Sequence, residues 1–158
     1  MVRPEYLQSH ALFGGVGTDD LESIIPLLHE EKFATGAYVV REGEQGSCMY
    51  FIRQGSVEVL ISTDGTPGER RLAVLNEGDT FGEMELIDVQ NRSASVRALE
   101  DLNVLTLSNN DLYEIFHHNQ EVFIIILMNI AREISRRLRK MDALVASSLF
   151  IEAQATSD

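Results

Sequence analysis

The stretch FGEMELIDVQNRSASVRA, Phe81 to Ala98, is where this chain concentrates its chemistry. It opens on Gly82-Glu83, carries an apolar patch at Met84, Leu86 and Ile87, crosses a polar loop, and brings Arg92 and Ser93 up to the strand-like Ser95-Val96-Arg97. Gly82 lets backbone approach a ligand closely. A short helix starting near Glu83 points free N–H groups outward, and such groups favour negative charge. Arg92 has the planar fork that pairs with a phosphate through two parallel hydrogen bonds, and Ser93 adds a hydroxyl donor. Glu83 is the odd member, because an acid repels an anion. It fits if its carboxylate accepts hydrogen bonds from a sugar hydroxyl. Together these residues suit a small anion that also carries hydroxyls.

On either side of this stretch, short β-type runs alternate with glycine turns. Tyr38-Val39-Val40 is followed by Gly43 and Gly46, Met49 to Ile52 by Gly55, Val57 to Ile61 by Asp64-Gly65 and Pro67-Gly68, and Leu72 to Leu75 by Gly78-Asp79. Val57, Val59 and Ile61 alternate with Ser56, Glu58 and Leu60, as in a half-buried strand. Ser93 to Leu99 and Leu102 to Leu107 close the series. This spacing predicts a double-sheet jelly roll or barrel rather than βαβ units. Apart from Gly82, the glycines read as turn formers.

Phe81–Ala98 resembles the phosphate-binding cassette of cyclic nucleotide-binding domains, whose pattern is roughly F-G-E-x-A-L-I, a short loop, then R-S/A/T-A-x-V-x-A. Glu42-Gly43, the Tyr50 strand, Gly55-x-Val57 and Gly78-Asp79 resemble the same family's β-roll, so the likeness covers roughly residues 10 to 145. The resemblance implies a mainly β fold with flanking helices, a double-stranded β-helix (jelly-roll) domain with a long C-terminal helix. It implies that Arg92 grips a cyclic phosphate and Glu83 the ribose 2′-hydroxyl, that Gly82 and Ser93 add phosphate-side contacts, and that Met84 belongs to the same site. By family alignment Met141 covers the base and Asp142 accepts from an adenine amino group, in a register that depends on one extra helical turn before Arg136-Arg137-Leu138. Two residues depart from the pattern. Glu85 stands where a small residue is usual, and its side chain is expected to face solvent. Ser93 leaves the choice between cyclic AMP and cyclic GMP open, with cyclic AMP favoured.

The flanks read as helices. Pro4 to Phe13 forms a short arm, and a helix starts at Thr18 or Asp19, with Glu22 completing a capping box on Asp19. Leu21, Ile24, Ile25 and Leu28 give it an apolar face, and His29 follows on the same helix. Asn110 to Phe116 is a helix capped by Asn109 or Asn110, and His117-His118 is its exit. From Glu121 to Phe150, Leu127, Ile130, Ile134, Leu138, Met141 and Val145 recur at three- and four-residue steps. Leu127, Ile134 and Met141 keep heptad spacing, and relatives resembling the catabolite activator family dimerise through this helix, so a homodimer is expected. Arg132, Arg136, Arg137, Arg139 and Lys140 read as a solvated basic face. The expected organisation is one domain over residues 1–150, with N-terminal helices at 1–32, the β-roll at 33–108, the cassette at 81–98 and C-terminal helices at 109–150. A flexible tail at 151–158 completes the chain.

Composition narrows the function. A chain of 158 residues with 44% hydrophobic and 24% charged content fits one soluble domain. A formal net charge of −12 argues against non-specific binding to nucleic acid or anionic membrane, and direct nucleic-acid binding by these residues is not expected. Acids farther than about 10 Å from the anion site are screened, so Arg92 decides locally. Cys48 is the one cysteine, which excludes a disulfide framework within one chain and an iron–sulfur cluster. The histidines His10, His29, His117 and His118 lie outside the expected strands, which weighs against a metal enzyme on a cupin-like roll and against haem. No signal peptide is expected, and the apolar run Val122 to Met128 is too short to span a bilayer, so the expected compartment is the cytoplasm. The leading expectation is a non-enzymatic, metal-free sensor of a cyclic mononucleotide that signals through its C-terminal helix. The alternatives are a module preferring cyclic GMP and an interaction domain of the same fold that has lost nucleotide binding. Whether the chain is complete or belongs to a longer regulator, kinase or channel stays open.

Overall fold

The computed structural model describes residues 2–63, 66–88 and 90–155, with side chains described for all of these except 63, 66, 67 and 148–155. The turn expected at Asp64-Gly65, Val89 in the cassette, the Phe150 side chain and the last three residues of the expected tail lie outside them.

In chain order the elements begin with α1 (Pro4–Gln8), a 3-10 turn over Ala11–Phe13, and α2 (Thr18–Ile24) ending in a second 3-10 turn over Ile25–Leu27. Among the described residues eight strands and a short helix come next: β1 (His29–Phe33), β2 (Tyr38–Val40), β3 (Cys48–Gln54), β4 (Val57–Thr63), β5 (Thr66–Leu75), β6 (Thr80–Phe81), α3 (Glu83–Asp88), β7 (Ser95–Ala98) and β8 (Leu102–Ser108). The chain then runs through α4 (Asn109–His118) and α5 (Gln120–Ala155). The strands form two antiparallel four-stranded sheets, ordered β1-β8-β3-β6 and β2-β7-β4-β5. This is a jelly roll with flanking helices.

Two apolar layers hold it. Inside the roll, Val40, Ile52, Val57, Phe81, Val96 and Val104 pack together. On the outer face of the first sheet, Met49, Phe51, Leu105 and Leu107 meet Leu7, Phe13, Ile126 and Ile130 from the helices. Strands β3 and β8 contribute to both layers, so β8 is buried almost throughout, as expected of a strand covered on both faces. Burying a side chain the size of Phe51 or Ile126 contributes roughly 1.5–3 kcal/mol each. Asn129 fixes α5 against the N-terminal turn by donating to the carbonyls of Leu12 (2.8 Å) and Gly14 (2.9 Å).

The fold corrects several local expectations. His29 does not continue a helix. The 3-10 turn containing Pro26 ends the helical segment, and His29 pairs with Thr106 as the first residue of β1. The roll therefore starts four residues before 33. The sequence of β1, HEEKF, has no alternating apolar pattern because it is a sheet edge with four exposed residues. Charge on an edge strand discourages pairing with another chain. Helix α2 has no side-chain cap on Asp19, and its N-cap is Gly17. Helix α4 is capped by Ser108 in a reciprocal box with Asp111, not by Asn109 or Asn110. Pro67-Gly68 lies inside β5 rather than forming a turn. The alternation expected of β4 breaks between Val59 and Leu60, where the register to β5 shifts, and Glu58 is buried against Arg97 (2.5 Å) and Arg71 (3.5 Å). Helix α5 continues to Ala155, five residues past its expected end.

Candidate functional site

Arg92 is placed from its backbone outward. Its N–H donates to the Glu44 carbonyl (2.7 Å), and its carbonyl accepts from Gly43 N–H (2.8 Å). The turn Arg41–Gly46 thus clamps Arg92 at the mouth of β7, and the guanidinium is sent inward, where Arg92 is 5% exposed. There Nη2 donates to the Cys48 carbonyl (2.8 Å), Nη1 donates to Glu85 Oε2 (3.1 Å), and the guanidinium lies 5.7 Å from the Tyr50 ring centre. Tyr50 is itself stacked on Phe81 at 4.8 Å.

Two glycines make room for this group. Gly82 has φ +79, and a Cβ there would lie 2.6 Å from Arg92 Nη1 and 2.8 Å from the Cys48 carbonyl oxygen. A Cβ on Gly46 would lie 2.6 Å from Arg92 Nε and 2.7 Å from Cζ. Gly82 is thus needed for backbone conformation and for the protein's own arginine. Gly46, read from sequence as a turn former, belongs to the same packing although its φ is not positive. We expect Gly46→Ala to lower stability by about 2 kcal/mol in chemical denaturation, since the added carbon overpacks a guanidinium held on two sides. A loss under about 0.5 kcal/mol, the range of an ordinary surface change, would mean that Arg92 yields freely.

Glu85 does not face solvent. It is 5% exposed, and its carboxylate receives Arg92 Nη1 on one oxygen and the Ser93 N–H (3.3 Å) on the other. The α3 register explains this. Glu83, Glu85 and Leu86 point inward, while Met84 and Ile87, expected in an apolar patch, are 50% and 45% exposed. Ser93 is exposed, and its hydroxyl has no hydrogen bond among the described residues.

Glu83 is 5% exposed. Its Oε1 accepts from Arg137 Nη1 of α5 (2.7 Å), and its Oε2 is buried without a hydrogen-bond partner among the described residues. The same guanidinium donates to the Thr80 carbonyl (2.5 Å) from Nη2 and to Glu133 Oε1 (3.0 Å) from Nε. Burial raises the Glu83 carboxyl above its ordinary 4.5. Arg137, the residue's own backbone N–H and, least, Arg92 pull it back only in part, and Glu85 adds to the rise. Arg137, read from sequence as part of a solvated face, is therefore a clasp between α5, β6 and α3. Around it, Arg132 bonds Asn129, Arg136 pairs with Glu133 and Arg139 donates to Ser135.

The structure brings Gly82, Glu83 and Arg92 into one buried cluster and adds Gly46, Glu85 and Arg137. Met141 and Asp142 stand exposed on α5 beyond Arg137, without a hydrogen bond or ion pair to the cassette among the described residues. Two cavities have no lining from Glu83 or Arg92. One is an open groove of about 750 Å³ along α5 between Met128 and Ala143. The other, about 50 Å³, lies between His10–Leu12, Gly78–Thr80 and α5. Arg92 and Glu83 are each bonded to the chain's own groups, Arg92 to Glu85 and the Cys48 carbonyl and Glu83 to Arg137. Among the described residues no group of three or more His, Cys, Asp or Glu could hold a metal, and no helix is long and apolar enough to cross a membrane.

The family described as the cyclic nucleotide-binding domain matches residues 30–119, more than half of the chain. The "Cyclic AMP receptor protein" of Thermus thermophilus is 29% identical over 148 residues, covering 94% of this chain and 66% of that protein. The human "cGMP-dependent protein kinase 2" is 36% identical over 96 residues, covering 61% of this chain and 13% of the kinase. Among solved structures, the Thermus thermophilus catabolite activator protein superimposes with a TM-score of 0.76 at 29% identity, over 86% of this chain and 62% of that one. The chain thus spans just under two thirds of the receptor's length and a small part of the kinase's.

Proposed function

The chain belongs to the cyclic nucleotide-binding domain family, and on that footing we propose that it is a non-catalytic sensor that takes a cyclic mononucleotide between Arg92 and Glu83, cyclic AMP in preference to cyclic GMP. The observation that carries this reading is that one buried cluster holds the Arg92 guanidinium and a buried carboxylate oxygen, Glu83 Oε2, that makes no hydrogen bond among the described residues. An acceptor left in that state is unfavourable by about 1–3 kcal/mol. A ribose hydroxyl supplies the missing donor, while the cyclic phosphate supplies the charge that Arg92 complements.

The receptor's likeness is the longer, 94% of this chain at 29% identity, and the cGMP-dependent kinase's the shorter, 61% at 36%; we rest the preference for cyclic AMP on the longer one, which takes in most of α5. The output we propose runs through α5, because Arg137 ties that helix to the same Glu83. A ligand that engages the same carboxylate biases the position of α5 by its differential affinity for the two arrangements. Beyond Arg137, Leu138, Met141 and Leu144 are 58%, 61% and 71% exposed, which supports pairing of this helix with a second copy of the chain. Met141 and Asp142 reach a base only if α5 moves.

Thermal unfolding with cyclic AMP, cyclic GMP and AMP tests the reading. At about one hundred times its Kd a ligand adds about 2.7 kcal/mol, roughly a 5–10 °C rise for a domain of this size. We expect that rise at a lower concentration of cyclic AMP than of cyclic GMP, and no comparable rise with AMP. No shift with either cyclic nucleotide would overturn the proposal.

A further inference from the structure

We propose that Glu85 is a resident stand-in for the ligand's phosphate: its carboxylate occupies the anion place in the free domain, and a cyclic nucleotide binds only by displacing it. The inference rests on the binding role proposed for Arg92. Two donors at the expected phosphate side, the Arg92 guanidinium and the Ser93 backbone N–H rather than its hydroxyl, already bond one carboxylate through separate oxygens, at 3.1 and 3.3 Å. Arg92 and Glu85 are each 5% exposed, so the pair is sealed rather than a surface contact.

The charges present force an exchange rather than an addition. Arg92 and Glu85 together are neutral, and Glu83 adds a negative charge from the same short helix. A phosphate arriving while Glu85 stayed would set three anionic groups about one guanidinium in a poorly solvated place, with the neighbouring cation, Arg137, already committed to Glu83 and Glu133. Exchanging the monoanionic carboxylate for a monoanionic cyclic phosphodiester leaves the charge of the place unchanged. It also restores both donors to an acceptor and sends Glu85 to water. The exchange makes affinity a difference between two ion pairs rather than the gain of one. Glu85 thereby sets how tightly the site binds and selects for anions able to outcompete a carboxylate held by its own chain.

Calorimetric titration of cyclic AMP and cyclic GMP into the wild type, Glu85→Gln and Glu85→Ala tests this, with cooperative thermal unfolding as the check that each variant is folded. Glu85→Gln keeps the size and one acceptor oxygen, so it answers the question if Glu85→Ala does not fold. We expect the folded variants to bind about tenfold or more tightly than the wild type, the scale of a charge-assisted hydrogen bond no longer competing. Folded variants that bind no more tightly than a wild type that does bind would overturn the role of Glu85 and leave the proposed function standing. Absence of binding in the wild type and the variants alike would overturn both.

Discussion

Arg92→Ala is expected to lower stability by about 3–5 kcal/mol, because it leaves the Glu85 carboxylate buried without its cation. Urea denaturation reads this directly. The loss has three parts: the ion pair at 3.1 Å, the bond to the Cys48 carbonyl at 2.8 Å, and the void between Gly46 and Gly82. The first part dominates, since an uncompensated charge in a poorly solvated place outweighs a lost neutral hydrogen bond. Replacing both partners together, Arg92→Met with Glu85→Leu, should recover most of the loss. Apolar side chains of similar volume often match a buried ion pair in stability. The single variant and the double variant are both expected to lose cyclic nucleotide binding. Stability and binding thus separate at this position. An Arg92→Ala domain as stable as wild type would mean that the Arg92–Glu85 pair is not formed in solution.

The two ends of the cassette were legible in the sequence because their chemistry is local. Gly82-Glu83 and Arg92-Ser93 are short motifs, and the roll around them arises from alternating apolar runs between glycine turns. What lay hidden needed depth or distance. Glu85 looks like a solvent-facing residue of a short helix until the helix is set against β3, and then it is Met84 that turns outward. Gly46 carries no conformational mark, since only the nearness of Arg92 Nε at 2.6 Å to the absent Cβ reveals its use. Arg137 reads as one of five cations on a helix, and its partner lies 54 residues earlier in the chain. Strand β1 is hidden for a different reason: an exposed edge has no apolar side to display. The Ser108–Asp111 cap was present in the sequence as an S-x-x-D pattern, but neighbouring asparagines competed for the same position.

The second large effect is expected at the clasp. Arg137→Ala should lower stability by about 3 kcal/mol near neutral pH, at the low end for a broken buried pair because the Arg137 side chain is 31% exposed. It removes the bond to Glu83, the bond to the Thr80 carbonyl and the tether between α5 and β6. Hydrogen exchange should accordingly quicken in α5 beyond Ser135. The penalty is electrostatic, so it has a sign in pH. Burial holds the folded Glu83 carboxyl above 4.5, and Arg137 opposes that rise. Losing Arg137 raises it further, so the folded variant holds a proton over a wider range than the unfolded chain does. Stability of the variant relative to wild type must then improve as pH falls through that raised value toward 4.5. Denaturation at about pH 7.5 and about pH 5 should show the deficit shrinking at the lower value. A deficit equal at both would mean that Arg137 acts by packing alone, and that the carboxylate it touches carries no charge for it to balance.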